Sequence, residues 1–349
     1  MVGFAGWELP EGYGGAIEEH LAVRTRAGLF DLSHLGQVEV AGRDALAALQ
    51  RLACNDASRL KIGETQRSVL TSAAGAVLDV VIVHRLGRSH YLLEVDAARV
   101  EADVAWIADQ ARALDDDAVV LDTSARYAGL ALEGPVAEDV LQGLTSLAVG
   151  DLEPGAFMHG EVAGVRVTLA RRSRTGENGF ELLSAPQGAP RLWTSILQAG
   201  ESDGVLPVGL AALETLRLEA GVRLVGIDID EAMTPLEAGL GDLVAWEKGS
   251  FVGREALAAQ RAGGVGRRSV GFEMIDPAVA RRGCSVRVDG VVVGAVTSGA
   301  DGPSVKKAIG LASLSASHAE TGALVDVDVE GRAARARVVM LPFYHRQES

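Results

Sequence analysis

The sequence predicts an α+β protein of antiparallel sheets with flanking helices, divided into more than one domain and ending in a small all-β barrel. Three observations carry this. The chain has 349 residues, enough for two or three domains and a sizeable core. Up to about residue 245, helical spacing and strand alternation are interleaved. After about residue 265 the texture changes to short alternating strands: "RSVGFEMI", "CSVRVDGVVVGAVTSG" and "LVDVDVEGRAARARVVML". Asp-Gly and Glu-Gly pairs sit in them where hairpin turns belong.

Taken in order, "AIEEHLAVRTRAG" (16–28) has helical spacing and a closing glycine. "QVEVAG" (37–42) alternates as a strand, and "RDALAALQRLA" (43–53) is helical again. "VLDVVIVHRL" and "HYLLEVD" are strands joined by "GRS", a hairpin signal, and a helix follows over roughly 97–114. "YAGLALEG" and "GVRVTLARR" are strands; "RLWTSILQAG" and "GLAALETLRLEAG" are helices stopped by glycine. "EKGSFVGREALAAQRAGGVGRR" connects to the barrel.

Composition narrows the function. Apolar residues make up 48% and charged residues 23%, as in a soluble globular protein. A net charge of −14 argues against nucleic acid and against an anionic membrane surface, both of which need basic footprints. A small ligand or a protein partner fits better. Cys54 and Cys284 form no CxxC pair, which points to a reducing compartment without a disulfide scaffold or zinc cluster. The histidines lack metal-ligand spacing, so no metal site is expected. The N-terminus carries no signal-peptide pattern, and the apolar runs are too short to span a bilayer, so a cytoplasmic protein is expected; the further expectation is a monomer.

Several motifs read as ordinary structure. "GYGGAI" (12–17) is a loop into a helix, because no strand precedes it. Ser33 and His34 are adjacent, so on a strand they point to opposite faces and make a poor nucleophile–base pair. Cys54 reads as a packed thiol. The carboxylates within strands are harder to dismiss. Alternation puts Asp79 on one face with Val77, Val81 and Val83. A carboxylate there needs a cationic partner or faces a cavity. Glu181, between Phe180 and Leu182 in "RTGENGFEL", raises the same question.

"GAIEEHLAVRTRAGLFDLSHLGQVEV" closely resembles the N-terminal signature of the glycine cleavage system T-protein, a family of folate-dependent aminomethyltransferases. The resemblance continues in family order through "LQRLACNDASRL", "GAVLDVVIVHRL", "LALEGPVAEDVLQGL", "TGENGFEL", "LRLEAGVRLVGIDIDEAMTPLEAGL" and "FVGREAL", and ends with "VGAVTSG" and "ARVVMLPFY". It implies a three-domain cloverleaf around a central hole that holds tetrahydrofolate. The expected division is a discontinuous first domain (1–40 and 125–245), an inserted second domain (41–124), a linker (246–265) and a C-terminal barrel (266–349). "MVGFAGW" resembles a segment that usually lies some way in from the family's N-terminus, so the expectation is that the chain lacks the family's leading stretch or that its start codon was assigned late.

The resemblance also implies roles. Asp79 falls at the reactive edge of the folate, where a dry negative pocket stabilises a cationic one-carbon unit in transfer. Glu181 falls where the family binds the N–H-rich edge of the pterin. Asp96, Arg67, Arg174, Leu35 and Arg217 complete the expected folate-contacting set. The partner implied is a lipoyl carrier protein. Several of these positions depart from the family pattern. Asp96 replaces an asparagine, Arg67 and Arg174 replace tyrosines, Val80 replaces a second aspartate and Leu213 replaces an arginine. The loop "SGADGPSVKKAIGLA" also differs. These changes leave three readings: a new pair such as Asp96 with an arginine, a donor whose carboxylate an arginine clamps, or lost activity. The alternatives to the T-protein role are a paralogous folate-dependent methyltransferase or demethylase acting on a free small molecule, and a non-catalytic folate-binding protein.

Overall fold

The computed structural model describes residues 1–113 and 117–346; the last residue of the helix expected over 97–114 and the last three of the expected barrel domain lie outside it. The chain builds two open sheets and a closed barrel. The first sheet has six strands in the order Phe157–Val162, Val165–Arg171, Gly179–Ser184, Ala128–Glu133, Gly28–Asp31 and Leu206–Val208. Only the last pairing, to Gly28–Asp31, is parallel. The second sheet is antiparallel, in the order Thr65–Thr71, Val77–Gly87, His90–Val95, Gly36–Ala41 and Val119–Asp122. The barrel closes through Arg267–Met274, Lys307–Ser315, Val291–Gly302, Ser285–Val288, Leu324–Val329 and Arg332–Val339. Each unit has its own apolar core. Among the described residues no helix is long and apolar enough to cross a membrane.

The sheets do not follow the expected domain borders everywhere. Gly36–Ala41 pairs with His90–Val95 and Val119–Asp122, so it belongs to the second sheet, although residues up to 40 were expected in the first domain. The segment carrying Ile229, Met233, Ala238, Leu240 and Val244 packs with Cys54, Val69 and Val77, against the second sheet. We therefore propose that the inserted unit begins between Asp31 and Gly36. The helix expected over 16–28 ends at Thr25, because Gly28 already starts a strand.

Two buried carboxylates organise loops that matter below. Glu19 accepts the backbone N–H groups of Tyr13 (2.6 Å), Gly14 (2.8 Å) and Gly209 (2.9 Å). The glycine-rich loop is thus wrapped on a side chain of its own helix, as its reading as a plain loop requires. Glu219, at the end of the helix Leu210–Glu219, accepts from Arg24 (2.9 Å) and from the backbone N–H of Ser304 (2.8 Å). His20 bridges Thr215 and Ser304, both at 2.7 Å. This network ties that helix to the helix Ala16–Thr25 and to the barrel.

Gly134 follows Glu133 at the end of a central strand with φ +139°, and a Cβ there would meet the Arg26 carbonyl oxygen at 2.4 Å and the Ala27 Cα at 2.6 Å. Strain and overlap together predict that Gly134→Ala loses about 2–4 kcal/mol of stability, read by urea unfolding. An unchanged midpoint would show that the helix end yields to the added methyl group.

Candidate active site

A cavity of about 390 Å³ opens where the second sheet faces the helix Leu210–Glu219 and the loop before Gly179–Ser184. Strand register explains its floor. Arg67 lies opposite Ile82, and Ile82 opposite Glu94, so these side chains share one face. Val80, Ile82, Glu94 and Asp96 all line the cavity.

Asp79 reaches the same cavity from the other parity. Its strand neighbours Val81 and Val83 point into the core of the second unit, with Leu93 and Val95. Between Val77 and Asp79 the pairing slips by one residue against Leu70 and Thr71, a bulge beside the carboxylate. Bulges re-aim side chains in this way. The slip also moves Val77 into a different apolar cluster, so it does not share the Asp79 face as simple alternation predicts. Asp79 is 1% exposed. One of its oxygens accepts from the N–H of Val80 at 2.7 Å, the other from the N–H of Asp96 at 2.9 Å. Asp103, from the helix Val100–Ala113, lies within hydrogen-bonding reach of it. Burial, and then the charge of Asp79, push the Asp103 carboxyl up to about 9. Burial also raises Asp79, against the pull of its hydrogen bonds. Two buried carboxyls that close share a proton, and the two N–H donors on Asp79 favour Asp103 as its holder.

Arg172 and Arg174 form the opposite wall with two glutamates. Arg174 Nε donates to Glu181 at 3.1 Å, and its Nη2 donates to Glu94. Arg172 reaches Glu181 at 2.7 Å and Glu94 at 3.6 Å. Glu133 fixes the loop by accepting from the N–H of Arg174 (3.0 Å), the N–H of Thr175 (3.0 Å) and the hydroxyls of Ser173 and Thr175 (both 2.6 Å). Burial opposes ionisation of Glu94, but the charges of Arg174 and Arg172 outweigh it and bring the carboxyl down to about 2. Burial disfavours the Arg174 cation as well, yet Glu94, Glu181 and Glu133 hold it firmly charged. Burial dominates at Glu181, which is held above the usual carboxylate range. His34 also lines the cavity; burial and then Arg174 lower its pKa, and its Nδ1 has no partner among the described residues. The ring packs edge-to-face with Phe4, the ring centroids 5.5 Å apart.

Arg217 is engaged by Glu214, by Asp228 (2.8 Å), by the Val222 carbonyl (3.0 Å) and by Ser298 of the barrel (2.9 Å). Of the residues singled out from sequence, Asp79, Asp96, Arg67, Arg174, Leu35 and Arg217 line this one cavity, while Glu181 does not. Its carboxylate lies behind Arg172 and Arg174, and Glu94 is the glutamate at the wall. Among the described residues Asp96 pairs with no arginine; its carboxylate accepts the N–H of Ala98 at 2.8 Å. Sequence reasoning passed over Glu94, Arg172 and Asp103. Glu94 carried a usable signal, since it stands within the apolar run "YLLEV" as Asp79 stands within "VLDVV". Among the described residues no cluster of His, Cys, Asp and Glu has the arrangement of a metal site.

Residues 1–248 match the model of the GCVT N-terminal domain, and residues 267–345 that of the glycine cleavage T-protein C-terminal barrel domain. The chain belongs to the glycine cleavage T-protein family. It is 45% identical to an aminomethyltransferase of Desulfitobacterium hafniense (strain Y51) and 44% identical to one of Anoxybacillus flavithermus, in each case over 99% of this chain and 94% of the relative. The crystal structure of glycine cleavage system aminomethyltransferase T from Bartonella henselae superposes with a TM-score of 0.91 at 32% identity, covering 99% of this chain and 94% of that one. Arg174 holds two counter-charges in contact, Glu94 on the facing sheet and Glu181 behind it.

Glu94 gives a pH prediction. A carboxyl lowered to about 2 in the fold stabilises it fully above its unfolded value, and that stability drains away as the pH falls toward 2. Wild type should exceed Glu94→Gln by about 2–3 kcal/mol at neutral pH. The gap should close between about pH 4.5 and pH 2, measured by thermal unfolding of both proteins. A gap that does not change with pH would mean that Glu94 is not the ionised partner of Arg174.

Proposed function

We propose that this chain acts as a folate-dependent one-carbon transferase, the activity of the T-protein family to which it belongs. We propose that its cavity binds tetrahydrofolate and that the aminomethyl group arrives on the lipoyl arm of a carrier protein, in the cytoplasm. The observation that carries this reading is Asp79: a buried carboxylate at the cavity edge, held by two backbone N–H groups, in a chain of this family. The cavity volume of about 390 Å³ falls within the ~300–1,000 Å³ typical of small-molecule sites. Its donor set also suits the ligand. Glu94 is ionised and spends one oxygen on Arg174 and Arg172, which leaves the other for an N–H-rich ring edge. We assign to Glu94 the acceptor role that the family resemblance gives to Glu181.

When bound, tetrahydrofolate supplies the nitrogen that accepts the one-carbon unit. The chain's own groups do the rest. Asp79 offers fixed negative charge where positive charge develops, beside the apolar side chains of Leu35 and Val80. Its two backbone donors fix the carboxylate direction, so little reorganisation is needed during reaction. Asp103 holds its proton against Asp79 and spares the pair a second buried charge. Leu35, Val80 and Leu213 give the apolar wall, and Arg217 ties the helix carrying Leu213 to the barrel through Ser298.

Asp79→Asn keeps the shape and removes the charge. Single-turnover transfer to tetrahydrofolate should slow by roughly a hundredfold or more. Folate affinity, read by calorimetry, should fall much less than turnover. Equal single-turnover rates in the two proteins would reduce Asp79 to a structural role.

A further inference from the structure

We propose that Arg67 and Arg223 form a carboxylate-binding subsite at the cavity wall, distinct from the Arg172–Arg174 wall. The inference rests on the reading of the cavity given above. Arg67 comes from the strand Thr65–Thr71 and Arg223 from the loop after the helix Leu210–Glu219, so the two guanidiniums approach one space from different units.

What separates them from the other cavity arginines is the lack of a counter-charge. Arg172 and Arg174 are paired with Glu94 and Glu181, and Arg217 with Glu214 and Asp228. Among the described residues the Arg67 guanidinium makes no hydrogen bond and no ion pair, although the side chain is only partly exposed. Arg223 donates to one neutral residue alone, Ser269, at its hydroxyl (2.8 Å) and its carbonyl (3.4 Å). The acids that attract them are Asp242 and Asp228. Asp242 forms no ion pair with either arginine among the described residues. Asp228 is saturated by Arg217, the N–H of Leu224, Thr297 and Ser298.

Burial lowers the pKa of both arginines, and each also feels other cations: Arg67 feels Arg172 and Arg174, and Arg223 feels Arg67. Desolvated like charges with no built-in partner destabilise the ligand-free fold. A bound anion relieves that cost, and a guanidinium fork matches a carboxylate in two parallel hydrogen bonds. Arg223 also borders a second cavity of about 210 Å³ against the barrel, so a carboxylate on a flexible chain has room on either side of it. Arg174, which the sequence grouped with Arg67 as a possible clamp, is excluded because its fork is already filled. A carboxylate reaching this subsite has two sources: the glutamyl tail of tetrahydrofolate, or a one-carbon donor that is itself an amino acid.

The test measures binding by calorimetry to wild type, Arg67→Gln and Arg223→Gln in two arms. The first compares tetrahydrofolate with tetrahydropteroate, which lacks the glutamate. The second compares an N-methyl amino acid with the corresponding N-methylamine. Wild type should favour the carboxylate-bearing ligand by roughly tenfold or more in one arm, and both variants should lose most of that preference. The arm that responds identifies the source. A preference that survives in both variants, or one absent from wild type in both arms, overturns the proposal. Failure of wild type to bind any folate would sink the folate reading, and the second arm would then decide the subsite. Unliganded Arg67→Gln should melt at or above the wild-type temperature, because it loses an unpaired cation. A lower melting temperature would make Arg67 structural and would also overturn the proposal.

Discussion

The contact between Arg174 and Glu94 is the constraint around which the rest of the site is arranged. Arg174 sits in a loop of the first sheet, and Glu94 on a strand of the second. A buried ion pair of this kind is poor evidence of stability, because desolvation takes back most of the Coulomb gain. Its value is geometric. Glu133 pins the Arg174 loop from behind, Glu181 fills the other side of the guanidinium, and Arg172 doubles the link. The two sheets are thereby held at a fixed separation, and the space between them is the cavity. Aromatic side chains at positions 67 and 174 would fill such a wall by packing. Here charge does it at Arg174, with Glu94 and Glu181 supplied by the sheet strands, while Arg67 is left without such a partner among the described residues.

The same low-dielectric interior governs the reacting end. At Asp79, two backbone N–H groups and the neighbouring Asp103 favour the carboxylate against the burial that opposes it. The bulge beside it turns a core-facing position toward the cavity rim. One wall of the cavity is thus electrostatically closed, with every arginine answered by a glutamate, while the Arg67–Arg223 side is left open.

Much of the fold was legible because it is local. The hairpin around "GRS", the helices closed by glycine and the alternating strands after residue 265 all depend on neighbours in sequence. The border between the first two units was not, because "QVEVA" joins the second sheet by pairing with Val119–Asp122, far along the chain. At the site, Asp79 was legible as a charge in an apolar run, and the family pattern brought its companions. Glu94 offered the same signal and was missed, because a single carboxylate in a strand reads equally well as a solvated face. Asp103 could not be found, since a carboxylate on a helix is commonplace and only the packing of that helix on the sheet brings it to Asp79. Glu181 is the assigned residue that does not line the cavity. Its side chain is buried, with Arg172 and Arg174 standing between it and the space.

The most direct test is a crystal structure of the protein with tetrahydrofolate bound. The account predicts ligand density in the cavity between the sheets, with the N–H edge of the pterin about 3 Å from Glu94 and the Arg174 ion pairs intact. A pterin seated instead on Glu181, with Arg174 swung away, or density outside this cavity altogether, would contradict it.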